Sequence, residues 1–107
     1  MPRRENKSMP KVESAFLYSD AGSFPVGGRE WSEWITSHTA FYFQHPAGTF
    51  TARKELRSGG WYWYAFRKHQ SKLYKLYMGK SEEITSARLV EIARLLDERI
   101  RAETVSV

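Results

Sequence analysis

The stretch Trp61-Tyr-Trp-Tyr-Ala-Phe-Arg-Lys68, followed by Lys72-Leu-Tyr-Lys-Leu-Tyr-Met-Gly-Lys80, interleaves aromatic rings with cations. Arg and Lys neutralise phosphates, while Tyr and Trp stack on bases or pack along sugars, so the combination suits a nucleic acid. The charge distribution points the same way. Residues 53–80 hold eight basic residues (Arg53, Lys54, Arg57, Arg67, Lys68, Lys72, Lys75 and Lys80) against Glu55 alone. Residues 1–52 carry five charges of each sign, and residues 81–107 carry four basic and six acidic ones. The excess behind the net charge of +5 therefore lies in one central segment. A polyanionic partner is the ordinary reason to tolerate such self-repulsion, and a generic solubilising surface is the other.

Catalytic chemistry finds no comparable support. His38, His45 and His69 are widely spaced and form no metal-ligand pattern; His38 and His45 flank one expected strand without a third ligand. No serine lies in a nucleophile elbow, and no Gly-rich loop opens a helix as a phosphate cradle does. Asp20 is isolated, and Glu30 with Glu33 reads as the solvated side of a short helix. The chain has no cysteine, which excludes disulfides and thiolate metal sites. The expectation is a non-enzymatic protein with neither cofactor nor metal.

The elements that must position these residues follow from periodicity. From Thr39 the apolar period is two, giving strands at about 40–45, 49–56, 61–68 and 72–78. Pro46-Ala-Gly48, Arg57-Ser-Gly-Gly60 and His69-Gln-Ser71 separate them, and such short loops imply antiparallel neighbours. A helix is expected at about 85–102, capped by Thr85 or Ser86, with Leu89, Ile92, Ala93, Leu96 and Ile100 as its apolar stripe. Trp31, Trp34 and Ile35 fall at helical spacing within residues 30–38. Ala15–Tyr18 could form an edge strand, and residues 20–28 read as a loop. Residues 1–13 are expected to be a flexible basic tail whose Arg3, Arg4, Lys7 and Lys11 form either a phosphate-tracking arm or a tail without a partner. The expected fold is α+β: a three- to four-stranded antiparallel meander packed against a C-terminal helix, with a short helix before the sheet, in one domain spanning 14–103. No apolar run is long enough to cross a membrane, and the N-terminus lacks a signal-peptide h-region, so a soluble cytoplasmic protein is expected.

On an alternating strand, Trp61, Trp63, Ala65 and Arg67 point one way and Tyr62, Tyr64, Phe66 and Lys68 the other. A one-residue change of register swaps the sets that meet across strands. A turn at Gln70-Ser71 groups Trp63, Ala65, Leu76 and Met78 against the C-terminal helix. Tyr62, Tyr64, Phe66, Lys68, Lys75 and Tyr77 are then left on the opposite face. In the competing arrangement the Trp31/Trp34 helix covers that second face, leaving Arg53, Arg57, Arg67 and Lys72 near the strand ends as contacts.

Two resemblances bear on function. Residues 59–89, GGWYWYAFRKHQSKLYKLYMGKSEEITSARL, resemble in layout the arm-binding domains of phage-type tyrosine integrases and plant AP2-type domains. These are three strands backed by a C-terminal helix, with the sheet inserted into the major groove. Over about residues 31–96, a Trp-x-x-Trp helix, Phe-Thr-Ala-Arg-Lys-Glu, Tyr-Trp-Tyr-Ala and Tyr-x-Gly-Lys-Ser-Glu look like the segment ahead of the ATPase module in some large LuxR-type (maltose-regulator-like) bacterial transcription regulators. That likeness implies a bacterial regulatory setting, although this chain has neither the ATPase nor the C-terminal helix-turn-helix. No catalytic residue is carried over from either family.

The expected function is therefore a DNA-binding module, double-stranded DNA first, with RNA as a further possibility. Arg53, Lys54, Arg67, Lys68, Lys72 and Lys75 are the expected contacts to phosphates or base edges, with Tyr62, Tyr64 and Tyr77 as aromatic contacts. The competing reading is a protein-interaction or dimerisation domain using an exposed aromatic sheet face. The DNA reading predicts, in gel-shift titrations, affinity that falls steeply with salt. It also predicts that replacing Arg67 and Lys75 by Ala weakens binding without unfolding.

Overall fold

Aromatic, Thr and Val side chains that alternate with polar ones fit a pleated, half-buried surface, and strand is the commonest element of this chain. The computed structural model describes residues 9–20 and 22–105. Three short strands, β1 (Lys11–Glu13), β2 (Phe16–Ser19) and β3 (Gly22–Pro25), precede helix α1 (Arg29–Ser37). Four more follow: β4 (Ala40–His45), β5 (Gly48–Arg57), β6 (Gly60–His69) and β7 (Lys72–Gly79). A 3₁₀ turn at Ser81–Glu83 then leads into helix α2 (Ser86–Val105).

These strands form one seven-stranded mixed sheet in the order β3-β2-β1-β4-β5-β6-β7. The expectation of a three- to four-stranded meander is corrected accordingly, although the class remains α+β. The antiparallel run β4 to β7 is extended by β1, which pairs with β4 in parallel, Val12 beside Phe43. Hairpin partners β2 and β3 complete that side. Lys11–Glu13, expected within a flexible tail, is thus an internal strand, and residues 22–25, expected in a loop, form the sheet edge. Strands of three or four residues carry too few alternations to register as a pattern; their pairing is set by tertiary partners. Arg3, Arg4 and Lys7 lie outside the described residues.

The sheet has a dry side and an open side. Val12, Leu17, Phe41, Phe43, Phe50, Ala52, Trp63, Ala65 and Met78 are all buried, and they belong to one contiguous core with Trp31, Trp34 and Ile35 of α1 and the apolar stripe of α2. Trp31 and Trp34 meet the Phe41 ring at 5.7 and 6.0 Å between centroids, and Phe41 meets Trp63 at 5.2 Å. Trp31 Nε1 donates to the Ile84 carbonyl at 2.9 Å, tying α1 to the start of α2. The two helices therefore lie on the same face of the sheet, and the arrangement in which α1 covers the second face is not adopted. Thr85 caps α2, its Oγ1 accepting from Arg88 N at 3.1 Å. Among the described residues no helix is long and apolar enough to cross a membrane.

Register on the β5–β7 half follows from one turn. Gln70 and Ser71 both have positive φ (50° and 68°), the geometry of a two-residue turn whose twist matches the strands it joins. It places Lys68 opposite Leu73, Phe66 opposite Lys75 and Tyr64 opposite Tyr77. Beyond that a bulge at Trp63/Tyr64 sets Trp63 against Gly79. Gly79, at φ +128°, also leaves room for Glu83, whose carboxylate would clash with a Cβ there.

Trp63 is fully buried, and its Nε1 donates to Ser81 Oγ at 3.0 Å. Replacing Trp63 by Ala is expected to cost about 3–5 kcal/mol, read as a lowered urea midpoint with a cooperative transition retained.

Candidate nucleic-acid interface

Because antiparallel partners opposite one another share a face, the pairing assigns every side chain of the open side. Arg53, Glu55 and Arg57 of β5 lie beside Tyr64, Tyr62 and Gly60 of β6. Tyr64, Phe66 and Lys68 in turn lie beside Tyr77, Lys75 and Leu73 of β7. Arg53, Arg57, Lys68, Lys75 and Tyr77 are exposed, while Tyr62, Tyr64 and Phe66 are half-buried. Six of the nine residues singled out in the sequence thus share the uncovered face: Arg53, Lys68, Lys75, Tyr62, Tyr64 and Tyr77. A shallow depression of about 370 Å³ lies among Thr51, Arg53, Phe66, Lys68 and Leu73.

The other three, Lys54, Arg67 and Lys72, are not brought together with these: each points to the helix side and makes contacts within the protein. Lys54 Nζ reaches the last carbonyls of α1, at 2.8 Å from Thr36 O and 3.2 Å from Ile35 O. The last turn of α1 has no cation of its own, so Lys54 supplies the positive charge that its negative end favours. Burial pushes the Lys54 ammonium below its ordinary value. Arg67 lies opposite Tyr74 and 3.8 Å from Asp97 of α2. Its Nη1 is buried and, among the described residues, has no hydrogen-bond partner, so this contact is a loose ion pair within a packed site. Gly48, at φ +149°, makes the room: a Cβ there would stand 3.2 Å from Arg67 Nη1 and 3.1 Å from Ala93 O. Lys72 donates to Glu103 Oε1 at 2.6 Å, joined by Tyr74 Oη at 3.1 Å. That hydrogen bond raises Lys72 and lowers Glu103 from their ordinary values.

Three residues not among the nine belong to the open face. Arg57 Cζ sits 5.3 Å from the Tyr64 centroid, Lys80 Nζ 6.0 Å from that of Tyr62, and Phe66 5.4 Å beneath Lys75 Nζ. Strand parity alone would have found Arg57, two residues from Glu55 and four from Arg53, and would have removed Arg67, two residues from Ala65.

Charge on the face is lopsided. Arg53, Arg57, Lys68, Lys75 and Lys80 stand against Glu55 on the β5–β7 half. Glu55 Oε1 accepts from Lys75 Nζ at 3.1 Å and from Arg57 Nη2. The hydrogen bond from Lys75, with the nearby Arg57 charge, holds the Glu55 carboxyl below the usual carboxylate range. Among the described residues neither Arg53 nor Lys68 has a carboxylate within ion-pair reach. At the other half Lys11 pairs with Glu13 at 3.1 Å, and the Phe16 and Tyr18 rings lie side by side, 41% and 45% exposed.

Two of the histidines serve local structure. His38 stacks on Trp34 at 4.3 Å, and His45 Nδ1 accepts from Ala47 N at 2.9 Å. Among the described residues no group of three His, Asp or Glu side chains is placed to hold a metal ion.

No protein-family model, no curated protein and no solved structure matches this chain.

Arg67→Ala is expected to report on the packing of α2, lowering stability by about 1–3 kcal/mol. Lys68→Ala, on the open side, is expected to leave the urea midpoint within experimental error.

Proposed function

We propose that the chain binds nucleic acid, duplex DNA first, through the open face of β5, β6 and β7, as a non-enzymatic cytoplasmic module in the bacterial regulatory setting that the LuxR-type resemblance implies. The observation that carries this reading is the pair of exposed cations Arg53 and Lys68. They flank one depression and, among the described residues, have no carboxylate partner, on a face where large aromatics remain uncovered. Self-repelling charge without internal neutralisation is favoured by a polyanion.

Duplex is preferred to single strands because the Tyr64 ring, central to the face, is already occupied. Lys75 Nζ lies 4.5 Å from the Tyr64 centroid and Arg57 lies over the same ring, so bases would have to displace these cations before stacking. The major groove, about 12 Å wide, admits a two-stranded β-ribbon. The β6–β7 ribbon lies at the sheet edge and directs Tyr64, Phe66, Lys68, Lys75 and Tyr77 to one side.

A second reading, docking of a protein through the same face, is favoured by Phe16 and Tyr18, whose neighbours Lys11 and Glu13 neutralise each other. It calls for a salt-tolerant complex.

The expected result for Arg53→Ala/Lys68→Ala is weaker binding of duplex DNA and a log–log salt slope shallower by about two, one for each phosphate that the variant no longer neutralises. Fluorescence anisotropy across a salt series measures both. An unchanged slope would remove these residues from the interface. A salt-insensitive dimer in light scattering, with no anisotropy change on adding DNA, would favour protein docking instead.

A further inference from the structure

Among the described residues Glu55 is the one carboxylate on the basic half of the open face, and its contacts have the form of an occupied anion site. Lys75 Nζ and Arg57 Nη2 both donate to a single oxygen, Glu55 Oε1. In the pairing, Glu55 stands opposite Tyr62 and Lys75 opposite Phe66, so the two must lean across Tyr64 to meet. The ring holds both cations: Lys75 Nζ is 4.5 Å and Arg57 Cζ 5.3 Å from its centroid, with Phe66 5.4 Å from the same ammonium. Two cationic donors converging on one oxygen above an aromatic floor match what a phosphate oxygen asks of a protein.

We propose that Arg57, Lys75 and the Tyr64 ring form a phosphate-binding site that Glu55 occupies in the free protein and vacates when a phosphodiester arrives. This rests on the nucleic-acid reading for its natural ligand, but the anion site itself does not. The side chains concerned are 30–50% exposed, and ion pairs this open are weak and screened, so a phosphate can compete for the donors. Glu55 then acts as a built-in competitor. It keeps Arg57 and Lys75 in place over Tyr64, and it lowers affinity for any ligand that cannot put a phosphate at that point.

The test compares wild type with Glu55→Gln, which keeps the side chain's size and removes its charge. Labelled duplex DNA is titrated by anisotropy over a salt series, and inorganic phosphate is titrated with Arg57, Tyr64 and Lys75 followed by NMR. Glu55→Gln is expected to bind duplex several-fold more tightly, with a salt slope steeper by about one, and to show phosphate-dependent shifts at all three residues that wild type lacks. Glu13→Gln, a charge removal of equal sign on the other half of the open face, is expected to give no comparable gain. Adding Lys75→Ala to Glu55→Gln is expected to abolish the gain. If Glu55→Gln gains no more than Glu13→Gln and shows no phosphate shifts, the site is overturned while the nucleic-acid reading stands. If neither protein binds duplex but Glu55→Gln takes phosphate at Arg57 and Lys75, the anion site stands and the nucleic-acid reading falls.

Discussion

Phe41 and Trp63 meet where α1, the sheet and the turn before α2 converge, and the sidedness of the molecule depends on that contact. Trp31 and Trp34 reach Phe41 from α1. Trp63 is bound through Ser81 to the segment that starts α2, and Ser81 Oγ lies 3.4 Å from the Ile35 carbonyl. Lys54 adds a strand-borne cation at the end of α1 and lies 5.4 Å from the Trp63 ring. With both helices drawn to one face, no described element remains to cover the other. The aromatic surface there is a consequence of core packing, and the cations standing on it give it chemical meaning.

Composition overcounts the charge available to a partner. Of the eight basic residues in 53–80, Lys54 and Arg67 are engaged within the protein, against a helix terminus and Asp97, and Lys72 pairs with Glu103 at the surface on the helix side. Arg57 and Lys75 are partly engaged by Glu55, and among the described residues only Arg53, Lys68 and Lys80 of the set face solvent without a carboxylate in ion-pair reach. The face is thus a modestly basic surface with a few strongly placed cations, not a diffuse positive cloud.

The long strands were legible because their alternation is long: residues expected at 40–45, 49–56, 61–68 and 72–78 fall within β4 to β7. The Gln70-Ser71 turn and its register were legible because a single apolar set, Trp63, Ala65, Leu76 and Met78, had to meet the helix. By contrast β1 and β3 were obscure, since Val12 is a single apolar residue whose burial depends on a parallel partner about thirty residues away in sequence; the Ala15–Tyr18 run did mark β2, which is an internal strand and not the edge strand expected. In the site, the placement of Arg67 on the helix side follows from its parity with Trp63 and Ala65. The partnership of Glu55 with Lys75 depends on side chains leaning across a neighbouring strand, which alternation does not encode.

Whether the open side of the sheet is the side that meets nucleic acid is tested most directly by mapping amide and side-chain NMR shifts on titration with a short DNA duplex. Changes are expected to concentrate at Arg53, Tyr64, Lys68, Lys75 and Tyr77, with Lys54, Arg67, Lys72 and the exposed sides of both helices undisturbed. Shifts centred on the helices, or none on the strands, would contradict it.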